Sequence, residues 1–347
     1  MSLLLEEPEA KQFCKITIDK IQDFKLSQEE EFIGLQPSIL ATSNLDSQGE
    51  AFSYQALESG VRHINKEILW IGAHHDPLIQ PLGRVVSAQL FYSNKSQIYF
   101  IAAVIGFYAT KSYKRFKDLG IDFSNLIIDD VSSLPRNINE QIQVSFCPFE
   151  IDRIIIDEIL TDAPNMVMKQ SARSIRKTGE PTLTIITILA SIWFLTNNPF
   201  SKKFLERYGE KAADSSAQVF SWLFNRLFRK ITELKGERVL VEFASDYSEC
   251  HVQFVIPSKD VATLCEASKS IHMAGQSAIN LINNHAHLEL QKLIYEFDTE
   301  VKIWLPLHAV SKKFGVITDR PSLIAIDQMQ GLSMGGITDK ESIQKIE

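Results

Sequence analysis

The sequence predicts an α+β protein whose first half is mostly β and whose second half is helical. Three observations predict it. Residues 32–165 carry short apolar runs separated by polar turns. Residues from about Ser201 to Leu234 step Phe204, Tyr208, Ala212, Val219, Leu223 and Leu227 by four or seven, the spacing of one helix face. Between these regions, Thr182–Phe200 holds no charged residue and is strongly apolar as far as Leu195.

At 347 residues the chain is long enough for two domains, and its 45% hydrophobic content is that of a protein with a packed core. A net charge of −7 and the lack of a long basic tract argue against a nucleic-acid partner. Cys14, Cys147, Cys250 and Cys265 form no CxxC pair, so neither a zinc knuckle nor a disulfide framework is expected, and a reducing, cytoplasmic setting fits. Met1–Glu7 lacks the basic start and apolar core of a signal peptide.

Residues 1–31 read as an acidic leader with one short helix or strand. Ile68–Ile71 is a first β-like run, and Arg84–Leu90 and Gln97–Ile105 flank the polar Tyr92–Ser96 as a hairpin. Lys111–Leu119 has helical character, a basic outer face and Gly120 as its stop. Leu126–Ile128, Ile142–Phe146 and Ile154–Ile156 continue the β-like runs to the end of a domain at 165, and 166–181 is a polar linker. The second domain, 182–330, opens with the apolar segment 182–200. A membrane span needs about 20 apolar residues, and Thr196-Asn197-Asn198-Pro199 closes this run early, so a buried helix is expected, with membrane contact or a homo-oligomer contact as the alternatives. Val239–Phe243 and His251–Ile256 then read as a small hairpin around Ser245–Ser248, and Lys259–Glu296 as a helix with a break near Asn283-Asn284. Ile303–Leu305 is a last strand, and the glycine-bearing tail 331–347 is expected to be loose.

The chemistry-bearing residues of the first domain are a histidine pair, a serine and a carboxylate. His74-His75-Asp76 precedes Pro81-Leu82-Gly83-Arg84 at the start of the hairpin; a histidine titrates near neutrality and can act as a general base. Ser124 follows the Gly120 stop, and Glu158 follows the Ile154–Ile156 run. Serine, histidine and carboxylate make a triad in any chain order when they converge, and spacing alone leaves convergence open. Ser145, Cys147 and His74 are the rival groups, each with an ordinary structural alternative. His285 and His287 suggest a metal pair only with Glu289 added, and alternate residues on a helix do not share a face.

Five motifs in order resemble those of the phage prohead maturation serine proteases, whose fold is similar to herpesvirus assemblin. They are Ala41-Thr42-Ser43 before Asp46-Ser47-Gln48-Gly49-Glu50 and a helix with Ala56; His75-Asp76 with Pro81–Arg84; Asp118-Leu119-Gly120; Phe123-Ser124-Asn125; and Glu158 ahead of Ala163-Pro164-Asn165. Asn125-Leu126 stand where the family has Ile-Gly. The resemblance implies an assemblin-like first domain with His75 as general base, Ser124 as nucleophile and Glu158 orienting the histidine, and with no metal or organic cofactor. The implied activity is peptide-bond cleavage of a protein or peptide substrate in a phage-derived or bacterial regulatory system. The alternative is a non-enzymatic interaction or assembly protein built on the same fold, with 182–200 as an anchor.

Overall fold

The structure, a computed structural model, describes residues 2–23, 32–45, 51–72, 76–109, 112–121, 123, 142–146, 153–161, 163–165, 167–171, 183–191, 195–196, 218–219, 221–234, 238–319 and 344–345. Helices and strands are both present, as an α+β fold requires. The chain forms two compact units, Met1–Arg115 with Phe314–Glu347, and Phe116–Lys313. Residues 32–165, read from the sequence as one domain, give strands and a helix to the first unit and, among the described residues, a 3-10 turn, one strand and one α-helix to the second.

In the first unit, β1 (Phe32–Thr42), β2 (Trp70–Ile71), β3 (Gly83–Ser93) and β4 (Ile98–Tyr108) join an antiparallel sheet, and Gln344–Lys345, within the expected loose tail, pairs with Gly34 and Leu35 of β1. The spatial order is Gln344–Lys345, β1, β4, β3, β2. The expected hairpin is the β3–β4 pair, closed by residues 94–97. β4 is central and buried on both faces from Phe100 to Tyr108. Two helices cover the two faces. After α1 (Ser2–Leu5), α2 (Pro8–Asp23) turns Ala10, Cys14 and Ile18, spaced by four, onto Leu35, Phe91, Phe100, Ala102 and Val104. α3 (Tyr54–Lys66) presents Leu57, Val61 and Ile64 to the other face, against Val85, Ala88, Ile101 and Ala103. Ser53 starts α3 by accepting a hydrogen bond from Ala56 N at 3.2 Å. Ala56 therefore lies on a helix, as expected.

The second unit departs from the expected helical domain. Its sheet runs β11-β10-β9-β8-β7-β5-β6 in space, formed by β5 (Ile142–Phe146), β6 (Val167–Ser171), β7 (Leu183–Leu189), β8 (Arg238–Tyr247), β9 (Cys250–Ile256), β10 (Leu290–Asp298) and β11 (Ile303–Ser311). The pairs β5/β6, β7/β8 and β9/β10 are parallel, each a crossover, and the joints between these pairs are antiparallel. Three expectations change here. Ile154–Ile156 belongs to a helix, α4 (Arg153–Leu160), which makes the crossover between β5 and β6. Of the apolar segment 182–200, Leu183–Leu189 form the strand β7 where a helix is expected, residues 195–196 are helical, and among the described residues no helix is long and apolar enough to cross a membrane. The long helix ends at the expected break: α6 (Val261–Asn284) stops there, and Leu290–Glu296 form a strand. Within the described part of the expected 201–234 helix, a π-helical turn at Leu223–Leu227 leads into α5 (Phe228–Thr232).

α6 is capped by Asp260, whose side chain accepts from Thr263 N at 2.8 Å. The cap hydrogen bonds hold the Asp260 carboxyl below its ordinary value. The helix buries Leu264, Ala267, Ile271, Ala274, Ala278 and Ile279, with Trp304 Nε1 donating to Ala267 O at 3.1 Å and Ser277 bonded to the Tyr295 hydroxyl at 3.0 Å. Gly275 stands where a Cβ would lie 2.8 Å from Thr196 Cγ2, so its missing side chain allows that approach. Cys14 is buried in the first unit and Cys250 in the second.

Candidate functional site

Of the three residues implied as a triad, His75 and Ser124 lie outside the described residues. Glu158 is described, on the exposed side of α4 rather than after a strand. Its Oε2 lies 3.0 Å from Lys230 Nζ, and the same ammonium lies 3.0 Å from Glu233. The hydrogen bonds that Lys230 donates to Glu158 and Glu233 raise its ammonium above the usual value. Asp76, beside His75 in the sequence, is buried and shapes a turn, its Oδ1 accepting from Leu78 N at 2.9 Å. Of the rivals, His74 and Cys147 lie outside the described residues, and Ser145 is a half-buried position of β5. The His285 and His287 rings stand 5.8 Å apart, and burial, then the His287 charge, lowers the His285 pKa. No group of three potential ligands is gathered for a metal among the described residues.

Sequence reasoning passed over a polar row inside the second unit. Glu242 of β8, Gln253 of β9, Lys292 of β10 and His308 of β11 lie on one sheet face by register: Glu242 faces Val255 and Gln253 faces Ala244, while Gln253 and His308 both face Ile294, two residues from Lys292. Glu242, Gln253 and His308 are buried. Gln253 Nε2 donates to Glu242 Oε1. Burial raises the Glu242 carboxyl, with Lys292 and Gln253 pulling it back, and burial lowers the Lys292 ammonium against the pull of Glu242. Burial, then the Lys292 charge, holds His308 down to about 3, so its imidazole is neutral at pH 7. The row is assembled only by register across four strands, which is why a reading strand by strand passes over it.

The first unit offers a surface of another kind. β2 covers β3 only at Gly83 and Arg84. Farther along β3, Gln97 N donating to Ser93 O fixes which residues bond toward β4. By antiparallel alternation, Ala88, Leu90 and Tyr92 then turn their N–H and C=O groups outward. Asn65, near the end of α3, caps the first of these: its Oδ1 accepts from Ala88 N at 3.0 Å and its Nδ2 donates to Ala88 O at 2.8 Å. Among the described residues no partner meets the outward groups of Leu90 and Tyr92. An open sheet edge of this kind accepts another strand. Replacing Asn65 by alanine leaves both groups of buried Ala88 without partners, a cost of about 1–3 kcal/mol, expected as a lower urea midpoint for the first unit together with a greater tendency to aggregate.

On the α2 side of this edge lies a groove of about 700 Å³, walled by Phe13, Ile16 and Thr17 of α2 and by Ser87, Gln89 and Phe91 of β3. Ile16 is 44% exposed. Ser93 Oγ donates to Glu7 Oε1 at 2.6 Å, which sets the start of α2 beside the end of β3, so the helix and strand run in opposite directions. Glu9 and Lys20 line the two ends of the groove, and both are exposed. On the other side of the edge, Tyr92 and Tyr54 meet Tyr99 at ring-centroid distances of 4.8 and 4.9 Å, an exposed aromatic patch.

Comparison with family models, with curated proteins and with solved structures returned no match.

Proposed function

We propose that the chain is a non-enzymatic interaction protein that takes hold of another polypeptide through its first unit. The observation that carries this reading is the unfinished edge of β3, where Leu90 and Tyr92 direct main-chain groups outward beside a half-apolar groove. Such edges are otherwise blunted by charge, proline or cover; here Asn65 caps one position, and among the described residues nothing meets the outward main-chain groups of Leu90 and Tyr92.

A serine peptidase built on an assemblin-like domain is the second reading. It is favoured by motif order, with Ala56 on α3 and Pro81–Arg84 leading directly into β3. The ion pair of Glu158 with Lys230 weighs against it. A carboxylate that orients a catalytic imidazole must accept its N–H, and a neighbouring ammonium weakens the field that would stabilise an imidazolium. Incubation of the full chain with a fluorophosphonate probe separates the two. No labelling above the Ser124→Ala background is expected. Labelling that is lost in both Ser124→Ala and His75→Ala would establish the peptidase and end the interaction reading.

A further inference from the structure

We propose that the groove between α2 and β3 binds an extended peptide as an added antiparallel strand, with a basic residue at the peptide's N-terminal end and an acidic residue at its C-terminal end. The proposal rests on the reading of the chain as an interaction protein and names the ligand of that surface.

Three features lead to it. The first is the main chain: the outward N–H and C=O groups of Leu90 and Tyr92 stand two residues apart, the repeat with which an antiparallel neighbour forms its hydrogen-bonded pairs. Two peptide residues, one opposite each, would complete four bonds. The second is the side-chain surface. A peptide residue opposite Phe91 points to the α2 side, into the groove lined by Phe13, Ile16 and Phe91, while residues opposite Leu90 and Tyr92 point to the other side, where the tilted rings of Tyr92 and Tyr99 meet. Apolar or β-branched side chains at alternate positions suit both.

The third feature sets the order of charges along the peptide. Glu9 lies toward the β3 C-terminal end of the groove and Lys20 toward its N-terminal end, because α2 and β3 run oppositely. An antiparallel peptide enters with its N-terminal side at Glu9 and leaves with its C-terminal side at Lys20. Positive charge first and negative charge last is therefore the complementary order. The eleven helical steps from Glu9 to Lys20 cover about 16 Å, and an extended chain spans that with about five residues. Strand addition beside a helix, with main-chain bonds giving affinity and alternate side chains giving selectivity, is a recurring mode of peptide recognition.

The test uses the full chain and two end-blocked, fluorescent peptides, Lys-Val-Thr-Val-Thr-Val-Asp and its charge-exchanged form Asp-Val-Thr-Val-Thr-Val-Lys, followed by anisotropy at low salt. The first is expected to bind about fivefold more tightly, the size given by two exposed charge pairs. The double variant E9K/K20E inverts the preference, and Ile16→Glu removes binding of both peptides. These three positions are exposed, so thermal melting of the variants should match the parent chain. N-methylation of the peptide amides opposite Leu90 and Tyr92 also abolishes binding. Absence of binding by either peptide, or binding that ignores both Ile16→Glu and E9K/K20E, overturns the proposal. So does concentration-dependent dimerisation lost in Tyr92→Pro, which would assign the edge to a second copy. None of these failures produces probe labelling at Ser124, so each is distinguishable from failure of the interaction reading.

Discussion

Gly83→Ala is expected to destabilise the first unit by about 3 kcal/mol or more, at the upper end for overpacking, measured as the loss of urea midpoint for that unit. A Cβ on residue 83 would lie 2.0 Å from Gly106 O and 3.0 Å from both Gly106 C and Phe107 Cα. All three are main-chain atoms of β4, which is buried on both faces, so no side-chain rotation relieves the overlap. The remaining outlet is displacement of β3 from β4, and that breaks the ladder holding the sheet's centre. Two companion variants calibrate the effect. Gly106→Ala meets the ring of Phe32 at 2.6 Å, a side chain that can turn, and should cost less. Gly72→Ala meets nothing within 4 Å and should be close to neutral. Equal midpoints for Gly83→Ala and Gly72→Ala would contradict the close approach of β3 and β4. The result bears on the Pro81-Leu82-Gly83-Arg84 box as well. Its glycine is required by strand packing, and its arginine lies over the Phe32 ring at 5.8 Å, so half of that motif has a structural reason independent of catalysis.

The second large effect is loss of stability in acid through His308. Its folded pKa is lowered to about 3 by burial and by Lys292, from an ordinary value of 6.5. Below pH 6.5 the unfolded chain takes up a proton that the folded chain refuses. Stability is therefore lost as pH falls from about 6.5 to about 3, by up to roughly 5 kcal/mol over the whole window. Glu242 works in the opposite sense. Its pKa is raised in the folded chain, so the folded state keeps a proton that the unfolded state releases, and stability from this group falls as pH rises above its ordinary range. The two are separated by comparing the parent chain with His308→Gln in urea titrations from pH 4 to pH 8. The variant should show a flatter acid limb for the second unit. An unchanged slope would mean that His308 gains its proton without cost.

The fold was legible in the sequence where turn residues bracket an element. β3 and β4 are separated by a polar turn; Gly120 takes the left-handed conformation, φ 74°, but it closes only a 3-10 turn at Lys117–Leu119, and Lys114 of the helix expected over Lys111–Leu119 forms a β-bridge with Ile317 instead. Reading failed where an uncharged run shows no polar alternation. Leu183–Leu189 is a continuous apolar run, and such a run reads equally as a buried helix or a buried parallel strand; the β-branched residues Thr184, Ile185, Ile186, Thr187 and Ile188 were the available discriminator. Ile154–Ile156 misled in the other direction, because three isoleucines suggest a strand whereas the crossover between β5 and β6 needs a helix. At Leu290 the polar break after Asn284 marked a change of element, not a kink. The candidate surface was less legible still. An open edge is a property of which strand lies next to β3, and no local pattern in residues 83–93 states that β2 will be two residues long. The buried polar row has the same origin, since Glu242, Gln253, Lys292 and His308 become neighbours only through register across four strands.

Burial pushes the Cys14 thiol up to about 11 and the Cys250 thiol up to about 12, the latter with help from the Asp246 charge. Since the thiolate is the form that reacts, both sulfurs are silent toward alkylating reagents while their surroundings stay closed. One belongs to the sheet-and-two-helix unit and the other to the crossover unit. The chain thus carries a separate chemical clock in each half: the order in which the two sulfurs are alkylated under rising denaturant reads out which half opens first, without an introduced cysteine.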